Sequence, residues 1–221
     1  MEKDRNTKVI AIVALLVGVV GLSLGFAAFS NTLTISSSAE VTPSAEDFNV
    51  DFSATTSGNV STDPVVPVLN PTGVTGFEAT NGAIDNSGSP TITNLHATFT
   101  EPGQTATYTF SSKNIGKYIA YLKSVVFEPV TGESVTKKCT PGTGTTAALV
   151  NDACNDITLS VKVGSESATT ASLANITGHS LAIDANEEVT VTISYAQDGH
   201  RADGDFTVAF GDVVLTYSSV D

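Results

Sequence analysis

The chain has 221 residues and a net charge of −13, from 10 Lys+Arg against 23 Asp+Glu. That balance excludes nucleic acid as a partner, because phosphate binding needs clustered Lys and Arg, and 41% apolar residues exclude disorder throughout. The absence of Trp, a single Met and three His argue against a metal- or cofactor-rich enzyme, so no cofactor is expected.

Residues 1–8 carry Lys3, Arg5 and Lys8, and Val9 to Phe29 is free of charge. Those 21 residues would span about 31 Å as a helix, enough for a bilayer core. The next cation after Lys8 is Lys113, an asymmetry that places the N-terminus in the cytoplasm and the rest of the chain outside. Residues 1–29 therefore read as a signal peptide or a transmembrane anchor. As a signal peptide, Gly25 and Ala27 are the small residues at −3 and −1, and Ala28 begins the mature chain. As an anchor, the segment is longer than the roughly 7–15 apolar residues of most signals, and residues 9–29 stay in the membrane.

Residues 30–47 form a polar linker or one strand, since Thr32-Leu33-Thr34-Ile35 alternates. From residue 48 to 221 a β-sandwich domain is expected. Phe48, Val50 and Phe52 alternate with polar residues, the pattern of a half-buried strand. Residues 55–91 read mainly as turns around the run Val65–Leu69, which Pro67 demotes to an edge strand or loop. Leu95, Ala97 and Phe99 alternate next, and Glu101-Pro102-Gly103-Gln104 predicts a type II turn with Gly at the φ > 0 position. Ala106, Tyr108 and Phe110 predict the following strand, Asn114–Lys117 a turn, and Tyr118–Phe127 a longer strand. Further alternations fall at Ile157–Val163, Val189–Tyr195, Phe206–Phe210 and Val213–Tyr217. Gly211-Asp212 breaks the phase of the last two, predicting a β-bulge or sharp turn. No amphipathic helix stands out after residue 29. The fold class is therefore all-β, an antiparallel β-sandwich of jelly-roll or immunoglobulin-like type, preceded by one N-terminal hydrophobic helix.

Cys139 and Cys154 are the only cysteines, flanking a Gly/Thr-rich insertion. Outside the cytoplasm such a pair reads as a disulfide, and no His or Cys spacing completes a zinc site. His96, His179 and His200 are isolated in sequence, and neither HExxH nor GxSxG occurs. Asp198, Asp203 and Asp205 cluster in one turn as a weak calcium candidate, against a plain charged hairpin tip.

Two segments carry a family resemblance. Ala27-Ala28-Phe29-Ser30-Asn31-Thr32 ends an apolar leader with a small residue, an aromatic, Ser/Asn and a Thr-rich stretch. Residues 101–127 combine Pro102-Gly103-Gln104 with Asn114-x-Gly116. Together they resemble the TasA/camelysin family of Gram-positive biofilm-fibre and surface proteins. The resemblance implies secretion through a dedicated signal peptidase, a jelly-roll-like sandwich and self-association into filaments by donor-strand exchange. On that reading Phe29, Thr32, Leu33 and Ile35 lie in the donor strand. No metal-ligand motif matches the metalloprotease role described for camelysin, so a non-enzyme is expected. The alternative is a membrane-anchored extracellular binding or adhesion domain, with residues 31–47 as its stalk.

Overall fold

The computed structural model describes residues 47–221, apart from residues 58, 60 and 170. The leader with Gly25, Ala27 and Ala28, and the donor segment with Phe29, Thr32, Leu33 and Ile35, lie outside the described residues. Among the described residues no helix is long and apolar enough to cross a membrane.

The described chain is all-β and sandwich-like, and every strand pairing in it is antiparallel. The first sheet runs in the order β1 (Val50–Ser53), β7 (Thr105–Asn114), β13 (Asn186–Tyr195), β10 (Ile157–Val163) and β11 (Glu166–Thr169), with β2 (Val68–Asn70) also pairing β7. Its central strands follow the period-2 pattern directly. Ala106, Tyr108 and Phe110 of β7, Val189, Val191 and Ile193 of β13, and Ile157, Leu159 and Val161 of β10 are all buried. Val191 faces Tyr108 on one side and Val161 on the other, so the buried residues form continuous cross-strand rows. Each buried Val, Leu, Ile or Phe among them contributes roughly 1.5–3 kcal/mol. The intervening Thr residues point outward, where Thr107 and Thr192 hydroxyls meet at 3.4 Å.

The second layer comprises two hydrogen-bonded sets of strands. One contains β12 (Ser180–Leu181), β8 (Ala120–Phe127), β15 (Val213–Ser218), β5 (Thr91–Thr93) and β4 (Ala83–Asp85). The other contains β3 (Glu78–Ala79), β6 (His96–Phe99), β14 (Phe206–Phe210) and β9 (Lys137–Pro141). Along β3–β6–β14 and β4–β5–β15 they run on as one kinked sheet, because the register of these strands is the same on both sides of the break, whereas between β8 and β9 it is not. Glu78 faces Thr98 as Asp85 faces Thr91, and Phe206 faces Phe99 as Val213 faces Ile92. Burial flips phase in both strands together, from Leu95 to Ile92 and from Phe210 to Val213. The phase break at Gly211-Asp212 is thus a shared kink with no inserted residue, rather than a bulge. Asn94, at φ 63°, makes the matching bend in the neighbouring strand. The register shift falls elsewhere: Thr216 faces Ser124 but Tyr217 faces Leu122, which leaves Lys123 extra in β8. Tyr195 of the first sheet packs edge-on to Phe99 and Phe206 of the second.

One helix, α1 (Ala147–Asn155), lies where the sequence reading had only a Gly/Thr-rich insertion. Thr146 caps it by accepting the Leu149 N–H at 3.4 Å, and it buries Val150 and Ala153. Nine residues with one buried pair three apart are too short for helical periodicity to stand out. The turn at Pro102-Gly103 forms as expected, with Gly103 at φ 90°.

Candidate functional site

A β protein that adds strands must present an edge, so the edges decide whether this fold can do so. On one flank the two layers are sewn together. After β11 the chain crosses to β8, where Leu173 and Val125 exchange two backbone bonds of 2.8 Å, Ile176 N–H reaches the Lys123 carbonyl, and Leu122 N–H reaches the His179 carbonyl. β9 carries α1, joined to it by the Cys139–Cys154 disulfide, with the two Cα atoms 6.1 Å apart. The expected disulfide is thus formed.

The other flank is different. The outer edge of β7 is shared by two short strands, β1 on residues 111–114 and β2 on residues 105–107. Val66 and Val68, beside and within β2, are 69% and 66% exposed. A β-bridge between Val65 and Gly82 ties this flank to the second layer, beside the Asn86 side chain at Phe52. Beyond β1 no strand of the described residues pairs. In place of one, the Asn86 carboxamide accepts the Phe52 N–H at 2.8 Å and donates to the Phe52 carbonyl at 3.0 Å. Next to it lies a cleft of about 180 Å³ between Phe48–Val50 and Gly88–Pro90, also lined by Tyr217.

The chain enters this end of the domain over Gly116, whose added Cβ would stand 2.6 Å from the Asn49 nitrogen. Asn114 organises the entry: its Oδ1 accepts Gly116 N–H, and its Nδ2 donates to the Tyr118 and Leu181 carbonyls. Ile115, Ile119 and Ile183 are exposed around it.

A buried polar chain crosses the sandwich beside this end. Ser112 Oγ donates to Tyr217 Oη at 2.8 Å, Tyr217 Oη donates to Glu187 Oε1 at 3.3 Å, and Glu187 Oε2 lies 2.8 Å from His179 Nε2. Burial, then the Glu187 charge, pushes the Tyr217 phenol far above its ordinary range. Glu166 Oε1 lies 3.7 Å from the other ring nitrogen of His179. The two carboxylates sit on opposite ring nitrogens, so they bracket the imidazole rather than converge on one ion. Replacing Tyr217 by Phe should cost roughly 1–2 kcal/mol, the loss of two hydrogen bonds at a buried hydroxyl, measured by urea unfolding. An unchanged midpoint would show that the chain contributes nothing.

The calcium candidate does not assemble: no three His, Cys, Asp or Glu among the described residues are placed to hold a metal. Asp205 Oδ1 instead accepts the Thr143 N–H at 3.1 Å. Asp203, Asp205 and Arg201 line an open polar cleft of about 630 Å³ with Thr75, Thr100 and Thr143. Asp198 lies in the same turn but does not line that cleft.

His200 is bound to Asp156, which accepts both its backbone N–H and its Nδ1 at 2.7 and 2.8 Å. The His200 N–H, then its ring, hold the Asp156 carboxyl below its ordinary 3.8, and the same bond with the Asp156 charge raises His200 above its ordinary 6.5. A lowered carboxyl stabilises above its unfolded pKa and loses that as pH falls. A raised imidazole stabilises below its unfolded pKa and loses that as pH rises. The pair is therefore fully engaged between about pH 4 and 6.5. By NMR, His200 should titrate above its ordinary value, and Asp156→Asn should bring it back. A titration unmoved by that change would refute the pairing.

These features define an all-β, sandwich-like protein with a disulfide-tethered helix and one partly open flank. Comparison with protein-family models, curated proteins and solved structures finds no match for this chain.

Proposed function

We propose that the chain is an exported, non-catalytic surface protein of TasA-like type that assembles into extracellular fibres or matrix by donor-strand exchange. Residues 28–38 of one copy would add to a sheet edge of the next. The observation that supports it most is the flank formed by β1 and β2, where short strands end the first sheet and Val66 and Val68 stand exposed. Such an edge templates an added strand. Adding the head of one copy to the flank of another is heterologous, which builds open filaments. The polar cleft at Arg201, Asp203 and Asp205 favours the second reading, a membrane-anchored binding or adhesion domain.

The test is negative-stain microscopy of the secreted chain across a concentration series, beside the Leu33→Asp, Ile35→Asp double variant. Two carboxylates in an acceptor edge are costly to bury, so the variant should stay monomeric where the parent forms fibres. Normal fibres from the variant would remove residues 33–35 from the junction. A parent that stays monomeric at every concentration would overturn assembly and leave the binding-domain reading.

A further inference from the structure

Asn86 makes an unusual pair of bonds for a loop side chain. It accepts the N–H and donates to the C=O of the same residue, Phe52, at 2.8 and 3.0 Å. A carboxamide has the donor and acceptor of a peptide group, so Asn86 stands where a neighbouring antiparallel strand would place one. Phe52 points these groups away from β7, and strand periodicity turns those of Val50 to the same side. The cleft of about 180 Å³ opens beside Val50. One wall of the cleft, Gly88–Pro90, belongs to the loop that also carries Asn86. An added Cβ on Gly88 would meet nothing within 4 Å, so the loop has open space on that side, while the Pro90 carbonyl at its far end accepts the Leu215 N–H at 3.0 Å.

We propose that Asn86 is a latch on the acceptor edge. Its carboxamide fills one peptide's place in the single copy, and residues 32–36 of a second copy displace it when they pair along Val50–Phe52. This rests on the assembly reading above and adds the site and its control. The occupant is a second copy of this chain because the flank asks for a peptide backbone, and the sequence of Thr32–Ile35 alternates as an added strand would. Val50 and Phe52 face the core at 5% and 0% exposure, so the edge offers backbone rather than side-chain recognition. The latch also acts against uncontrolled pairing, as edge strands generally require.

The experiment compares the secreted chain with Asn86→Ala and Asn86→Asp by light scattering, and follows backbone amide exchange at Val50 and Phe52. Asn86→Asp keeps the acceptor for Phe52 N–H but sets a carboxylate against the Phe52 carbonyl. Both variants should shorten the assembly lag several-fold, and Asn86→Ala, which also loses the acceptor, should show faster Phe52 exchange as a monomer. In fibres of Asn86→Ala, Phe52 should be protected again and Val50 newly protected, both by the incoming strand. Fibres in which these amides exchange as fast as in the variant monomer would overturn the latch and leave assembly standing. Concentration-independent protection of Val50 in the monomer that disappears with Leu33→Asp, Ile35→Asp would show a chain closing on itself, and would also overturn it. No fibres from any of the chains would overturn the assembly reading, and this proposal with it.

Discussion

Gly211→Ala should unfold the kinked sheet, with a loss of about 4 kcal/mol, at the upper end of single-substitution effects. Gly211 does not have a positive φ. At such a position alanine usually stabilises by roughly 0.4–1 kcal/mol, because it restricts the unfolded chain. Here space reverses the sign. An added Cβ would stand 1.9 Å from the Glu128 carbonyl oxygen and 2.7 Å from two carbonyl carbons, all of them backbone. Those atoms cannot rotate away, since Glu128 N–H donates to Asp212 C=O at 2.8 Å and Gly211 N–H donates to Thr136 C=O at 3.1 Å. The methyl would have to part β14–β15 from the chain between β8 and β9, which is the line along which the second layer kinks. Gly88→Ala is the control, with nothing within 4 Å of its added Cβ. Thermal unfolding should show a fall of roughly 8–16 °C for Gly211→Ala and little change for Gly88→Ala. Equal melting temperatures would mean that the kink is not close-packed.

The kink also shows what was legible in the sequence. The long strands β7, β10 and β13 were readable because each alternates buried and less buried residues over six or more positions. The anomaly at Gly211-Asp212 was readable too, but its meaning was not. A phase break looks the same in one strand whether a residue is inserted or the partner bends with it. Only the pairing of Val213 with Ile92 and Phe206 with Phe99 separates the two. Strands β3, β4 and β12 are two or three residues long, too short for any period, and exist because a neighbour offers an edge. The cysteine pair was legible because a chain with two cysteines offers each thiol one possible partner within it. The Asn86–Phe52 bonds and the Ser112–Tyr217 bond were not, because they join residues 34 and 105 positions apart through single polar side chains. Ser, Thr and Asn are so common in this chain that no pattern marks those few. His179 was equally silent, since its two glutamates come from different strands of the first sheet.

Removing the disulfide with Cys139→Ala, Cys154→Ala should cost about 3 kcal/mol, the loop-closure value for a bridge across about 15 residues. That corresponds to a fall of roughly 6–12 °C in melting temperature. The bridge is not the only tie holding α1 to the sheet. Lys137, two residues before Cys139, sends its ammonium to the Cys154 and Ile157 carbonyls at the C-terminal end of the helix. A cation there satisfies terminal carbonyls and complements the helix dipole. It does so at a cost, because burial pulls the Lys137 amine below its ordinary range. The two ties grip the same helix end, so their effects should not add. With the disulfide present, Lys137→Met should cost roughly 1–2 kcal/mol, from the carbonyls left unanswered. In the cysteine-free chain the helix end is already loosened, and the same change should cost less than half as much. A double-mutant cycle in urea measures the difference directly. Strict additivity would mean that the helix stays docked through Val150 and Ala153 alone, and that bridge and lysine act at independent sites.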